Sequence, residues 1–256
     1  MIELKNVCYS YNGKTVLENI SFRISRNERL VLLGVNGCGK TTLLKILNGL
    51  MFPQNGEYLF EGGEVSKAFL RDEDRRKRFR KSSVMLFQSP EVMLFNPTVY
   101  DEVAFGLRQI LRDETEIRKK AEKTLGIFGL LRYRDSPPFE LSGGEKQKLA
   151  LASILAIEPQ VLLLDEPMTN LDPKSQGEII DLLYELEITT VISTHNLSMA
   201  PELGLRTILL SENHNILYDG NINGLLSDED LLIRANLVHR HRHRHNGVDH
   251  THYHRH

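Results

Sequence analysis

The chain has 256 residues, of which 41% are hydrophobic and 26% charged, the make-up of an ordinary globular protein. A formal net charge of -2 gives no basic field for nucleic acid, and two cysteines, Cys8 and Cys38, make no disulfide framework and fit a reducing compartment. Met1–Lys5 holds no apolar signal core, and no apolar run approaches the ~18 residues of a membrane span, so any membrane role is expected to run through partners.

Residues 2 to 33 alternate short apolar runs with turn signals such as Tyr11-Asn12-Gly13, which predicts strands and hairpins. Arg29 to Leu33 reads as a buried strand, Gly34 to Gly39 as a glycine-rich loop, and Thr41 to Leu50 as a helix ending near Gly49. Strand, loop and helix in that order imply an α/β core with parallel strands. The basic run Arg75 to Lys81 reads as a solvated face, with lipid head groups or a partner as the other reading, and Ser83 to Phe87 as a short strand. From about 90 to 159 helical stretches dominate, Asp113 to Phe128 and Gly144 to Ile157 among them, and predict a helical subdomain inserted into the core. Val161 to Leu164 and Thr190 to Ile192 return to buried strands, and Thr207 to Asp219 reads as a hairpin around Glu212-Asn213-His214-Asn215. The globular part is expected to end near residue 237. Residues 238–256, with eight of the ten histidines and four arginines, are expected to form a flexible tail.

Three motifs carry chemistry. Gly34-Val35-Asn36-Gly37-Cys38-Gly39-Lys40-Thr41 fits G-x-x-x-x-G-K-[ST]. Its glycines let backbone N–H groups turn around phosphate oxygens, and the following helix aims its positive end at them. Lys40 reaches the β- and γ-phosphates, the Thr41 hydroxyl ligates Mg²⁺, and Thr42 continues the nucleotide-binding stretch. Cys38 stands beside the helix start and is expected to be open to alkylation, with ATP protecting it. The apolar run Val161–Leu164 ends in Asp165, suited to hold Mg²⁺, and Glu166, suited to polarise an attacking water. Ser142-Gly143-Gly144 opens a helix with a hydroxyl and free backbone N–H groups, either a second phosphate site in the same chain or a plain helix cap.

With Leu141-Ser142-Gly143-Gly144-Glu145-Lys146-Gln147 in place, the chain resembles the ABC family of ATPases, whose Leu-Ser-Gly-Gly-x-x-Gln signature completes the ATP site of the opposite subunit. The resemblance spans residues 2 to about 237. It implies a P-loop NTPase core with a small antiparallel β-subdomain and an inserted helical subdomain, ATP and Mg²⁺ as ligands, and hydrolysis of ATP. It further implies that Gln88 is the Q-loop glutamine and a Mg²⁺ ligand, that Asp172 in Asn170-Leu171-Asp172-Pro173 belongs to the D-loop, that His195 is the switch histidine, and that Tyr11 stacks on adenine. In the family pattern a small Gly, Ala or Ser is usual where Cys38 stands.

One phosphate loop and one signature per chain require two chains head to tail, a homodimer or a heterodimer with a paralogous ATPase. The stretch from Gln88 to Ala104-Phe105-Gly106 resembles the ATPases of energy-coupling-factor importers, where it lines the groove for membrane subunits. That subgroup imports vitamins or nickel and cobalt, and the resemblance implies a place for this chain at the cytoplasmic face of the cell membrane, held there through membrane partners. His239, His241, His243, His245, His250, His252, His254 and His256 suit Ni²⁺ or Co²⁺. They also fit a solvated tail or an affinity tag. A soluble ABC ATPase acting on DNA or ribosomes, and a metal-storage protein with a nucleotide switch, are the competing functions.

Overall fold

The structure, a computed structural model, describes the backbone of residues 1–245 and 248–255 and the side chains of residues 1–238. Its contacts divide it into two compact units, Met1–Arg75 with Thr189–His256, and Arg76–Ile188.

The first unit begins with β1 (Ile2–Tyr11) and β2 (Lys14–Ile24), paired antiparallel through the turn Asn12-Gly13. Both turn residues take positive φ, 49° and 80°, as a tight hairpin turn requires. Ile2, Leu4 and Val7 of β1 are buried. In β3 (Arg29–Leu33), Leu30 to Leu33 are all 0% exposed, the unbroken apolar run of a strand covered on both faces. Helix α1 (Lys40–Leu47) follows the phosphate loop and is stopped by Gly49, whose φ of 65° closes the last turn. β4 (Asn55–Phe60) pairs antiparallel with β1 and with the short β5 (Gly63–Glu64).

The second unit starts within α2 (Glu73–Ser82), so the basic run lies on a helix, whose one buried residue is Phe79. β6 (Ser83–Leu86) is followed by three helices, α3 (Val99–Arg108), α4 (Glu114–Ile127) and α5 (Gly143–Leu155). Each has a side-chain N-cap, from Thr98, Asp113 and Ser142 respectively. β7 (Val161–Asp165) runs parallel to β6, with Ser83 opposite Val161 and Leu86 opposite Leu164. Helix α6 (Pro173–Tyr184) closes the unit, which therefore holds the helices expected at about 90–159 together with two core strands.

The chain returns to the first unit with β8 (Thr189–Thr194), α7 (Ala200–Leu203), β9 (Arg206–Leu210) and β10 (Ile216–Asn221). β8 and β9 flank β3 on either side, both parallel, and β10 pairs antiparallel with β9. Arg206 binds Glu28 at 2.7 Å and Asp219 at 2.8 Å, and these two carboxylates push its pKa upward. Helices α8 (Ile222–Leu226) and α9 (Glu229–Arg234) lead into β11 (Val238–His245) and β12 (Val248–Arg255). Where a flexible tail was expected, these two segments pair as an antiparallel hairpin. The physical reason lies in the alternation of residue types, which has the two-residue period of a strand. No helix among the described residues is long and apolar enough to cross a membrane.

Candidate functional site

The phosphate loop belongs wholly to the first unit. It leaves β3 at Gly34 and enters α1 at Lys40. Gly34 (φ 156°) and Gly39 (φ 114°) take conformations that side chains rarely adopt. Space forbids a side chain as well. A Cβ on Gly34 would stand 2.8 Å from the Leu210 carbonyl oxygen, and one on Gly39 2.5 Å from that of Val16. Gly37 (φ 85°) meets nothing, so its requirement is conformational alone. Asn36 and Gly37 are exposed at the loop's crest, and Thr41 is half-buried in the first turn of α1. The Lys40 ammonium donates to the carbonyl oxygens of Gly34 (2.7 Å) and Val35 (3.3 Å), bracing the loop along the path a phosphate chain takes in such a cradle. Cys38 is only 1% exposed, which corrects the expectation of ready alkylation, because its sulfur packs under the loop toward Gly34.

Tyr11 ends β1, is 42% exposed, and meets Tyr9 edge-to-face at 5.0 Å. Its hydroxyl lies 3.4 Å from Thr42 Oγ1 and 3.2 Å from Met51 Sδ, so the ring is fixed beside α1 with aromatic surface free. His195 is half-buried one residue beyond β8, in this same unit.

The second unit carries the carboxylates and the signature. Asp165 closes β7 at 2% exposure; Glu166, 7% exposed, turns the chain with φ 50°. Gln88 is exposed two residues past β6. Ser142 caps α5 in a full capping box with Glu145: its backbone N–H donates to Glu145 Oε2 at 3.0 Å and its hydroxyl at 2.7 Å. These two hydrogen bonds, backbone first, hold the Glu145 carboxyl down at about 2. Gly143 meets nothing, whereas a Cβ on Gly144 would stand 2.4 Å from Ser175 Oγ. Ser175 in turn donates to Asp172 Oδ2 at 2.6 Å, and Asp172 Oδ1 accepts from the N–H groups of Lys174 and Ser175 as the cap of α6. The Ser175 hydroxyl is the first cause of the lowered Asp172 pKa. Gln147, expected to face a partner's nucleotide, is 3% exposed and donates to the Pro167 carbonyl at 2.8 Å, joining α5 to the segment just after Glu166.

Some residues that shape these sites carry no sequence signal. Gln54 accepts from the Ser10 N–H and donates to its carbonyl, both at 2.9 Å, steadying the residue before Tyr11. Glu102, 3% exposed, accepts from the N–H groups of Phe95 (3.0 Å) and Asn96 (2.8 Å) and so fixes the loop after Gln88. Among the described residues no His, Cys, Asp or Glu group is arranged to hold a metal ion. The side chains of His239, His241, His243, His245, His250, His252, His254 and His256 lie outside the described residues.

A glycine-bounded phosphate loop, a strand ending in two carboxylates and a second capped Ser-Gly-Gly helix define an ATP-binding cassette. The profile of the family described as ABC transporter matches residues 17–169. A putative ABC transporter ATP-binding protein of Methanosarcina acetivorans is 42% identical over 94% of this chain and 90% of its own length. An energy-coupling factor transporter ATP-binding protein, EcfA1 of Methanospirillum hungatei, is 37% identical over 93% of this chain and 85% of its own. Among solved structures, cbiO1 of Clostridium perfringens, part of the ABC transporter complex cbiONQ, superposes with TM-score 0.79 at 32% identity, covering 92% of this chain and 94% of that one. A dimeric ATP-binding cassette in a post-hydrolysis state, bound to ADP and Pi, gives TM-score 0.75 at 28% identity over 87% and 99%. The chain belongs to the ABC transporter family. It has the ABC ATPase fold, as expected, and is an ATPase subunit.

Proposed function

We propose that this chain energises an energy-coupling-factor-type importer from the cytoplasmic face of the membrane, that it works as a dimer, and that the transported ion is nickel or cobalt. The observation that carries the importer reading is the surface that follows Gln88. Val92 (72% exposed), Phe95 (67%) and Phe105 (43%) present apolar area, and the two rings meet edge-to-face at 5.1 Å. A buried Glu102 holds the backbone beneath them. Exposed aromatic groups on a fixed backbone suit a partner helix from a membrane subunit. Likeness to EcfA1 and to a component of cbiONQ supports the same reading.

ATP fits the residues present, because Gly34, Gly37 and Gly39 take backbone conformations open to glycine, which lets successive N–H groups of the loop turn toward phosphate oxygens at the start of α1. In this reading Lys40 and the N–H groups of Gly34 to Thr41 bind the phosphates, and Tyr11 stacks on the base. Thr41, Gln88 and Asp165 offer the oxygen donors a hard Mg²⁺ ion takes, and the ion would neutralise phosphate charge. Glu166 accepts a proton from the attacking water, and His195 orients the γ-phosphate. Ser142, Gly143 and Gly144 complete the site of the partner subunit, with Asp172 at the dimer contact; Gln147 supports them from within. The partner is a second copy or a paralogue, and nucleic acid has no place in this reading.

Nickel or cobalt is favoured over a vitamin by the histidine tail. Eight of the ten histidines fall within residues 238–256, and imidazole is a donor these ions favour. The test counts both metals, supplied at trace concentration, in native host cells carrying wild-type protein or Glu166→Gln. Selective loss of one metal in the variant supports the proposal and names the ion. Equal metal in both strains overturns it and moves a vitamin forward.

A further inference from the structure

The turn between β9 and β10 lies far from the nucleotide motifs in sequence, yet it touches the phosphate loop. Ser211, 4% exposed, organises the turn: its N–H donates to the Asn215 carbonyl at 2.9 Å, and its hydroxyl receives the Asn213 N–H at 3.1 Å. His214 occupies the left-handed position of the turn, with φ 65°. It reaches out in two directions. Its carbonyl accepts the Glu18 N–H of β2 at 2.8 Å, and its ring Nδ1 stands 3.3 Å from the Cys38 carbonyl oxygen. The Leu210 carbonyl closes over Gly34, and the Val16 carbonyl of β2 closes over Gly39. The loop is therefore held between β2 and the end of β9, and His214 is the one residue of the turn bonded to both the loop and β2.

The Cys38 carbonyl matters because of the peptide it belongs to. A trans peptide is planar and points its C=O and N–H in opposite directions. Fixing the Cys38 oxygen therefore fixes the direction of the Gly39 N–H, one of the backbone donors that the phosphate-loop reading directs at phosphate. Gly39 has no side chain and a φ of 114°, so no side-chain packing at Gly39 restricts that peptide plane.

We infer that His214 is a positioning residue for ATP: donating from Nδ1 to the Cys38 carbonyl, it sets the Cys38–Gly39 peptide so that the Gly39 N–H faces a phosphate oxygen. The inference rests on the phosphate-loop reading above. It requires the ring to carry a proton on Nδ1, as one neutral tautomer and the imidazolium both do.

Two substitutions separate this role from simple packing. His214→Gly removes the ring without strain at a left-handed position. His214→Asn keeps the left-handed tolerance and returns an N–H donor at the distance of Nδ1 from the backbone. ATP affinity by titration, KM and kcat for hydrolysis, and the unfolding midpoint without nucleotide are measured on the full chain. The expected result is an ATP Kd and KM raised about tenfold in His214→Gly with kcat little changed, and restored to within about threefold in His214→Asn. The nucleotide-free midpoints of the two variants should agree with each other. Unchanged affinity in His214→Gly overturns the inference. So does equal loss in both variants, which would assign the effect to ring packing. Lys40→Ala tests the underlying reading: if it binds ATP like the wild type, the phosphate-loop assignment fails first, and the role of His214 with it.

Discussion

Tyr11 shows how a single side chain is made ready for a ligand. Its hydroxyl is engaged by Thr42 and Met51 while 42% of the residue stays exposed, so the ring pays little further entropy on stacking. Replacing Tyr11 by Ala should raise the KM for ATP about tenfold with kcat nearly unchanged, since stacking on a base is worth about 1–3 kcal/mol. Tyr11→Phe should stay close to the wild type; steady-state kinetics of the three proteins checks both. At this scale the motifs were legible where chemistry dictates residue type and spacing, as in the loop from Gly34 to Thr41. What stayed hidden were the supports. Gln54 and His214 act by meeting backbone groups 44 and 176 residues away in sequence, and a single chain carries no sign of such meetings. Cys38 misled for a related reason: its place beside a helix start suggested reactivity, and only packing reveals its burial.

Helix α5 shows an element whose start is settled locally. The S-x-x-E spacing of Ser142 and Glu145 is a sequence-level capping signal, and both reciprocal hydrogen bonds form. Ser142→Ala should destabilise the protein by about 1 kcal/mol at neutral pH in urea unfolding. The dependence on pH follows from Glu145, held at about 2 against an ordinary 4.5. A depressed carboxyl stabilises the fold above its unfolded value and loses that contribution as pH falls toward the folded one. The gap between wild type and Ser142→Ala should therefore be full above pH 4.5 and shrink below it, measured by urea unfolding across that range. Elements with a strong period were readable, β3, α4 and α5 among them, with boundaries shifted by a residue or two. Helix α2 was not, because its charges cover every side and only Phe79 is buried, leaving no apolar stripe to mark a period. The tail read differently: low apolar content argued for flexibility, while the His-Arg alternation carries a strand period and the segments Val238–His245 and Val248–Arg255 pair.

For the molecule as a whole, fold class was the most legible property, since strand, phosphate loop and helix in sequence already require a parallel α/β core. The division into units was less so. Residues 189–256 rejoin the first 75 by placing β8 and β9 beside β3, a long-range pairing that periodicity alone does not encode. The phosphate loop falls in one unit and the signature in the other, and the proposed function joins the loop of one chain to the signature of another. Blocking hydrolysis should trap that arrangement. Glu166→Gln with ATP should sediment as a dimer, while the same variant without nucleotide should not; sedimentation velocity decides.

The contacts of Gly144 and Gln147 have a consequence for how ATP energy is spent. The signature helix leans on Ser175 through Gly144 and is tied to Pro167 through Gln147, and its first turn is closed by its own serine and glutamate. These bonds are all internal to the chain. In the proposed dimer they hold the element offered to the neighbouring subunit, so a bound nucleotide would spend little on ordering that helix start and more would remain for moving whole subunits.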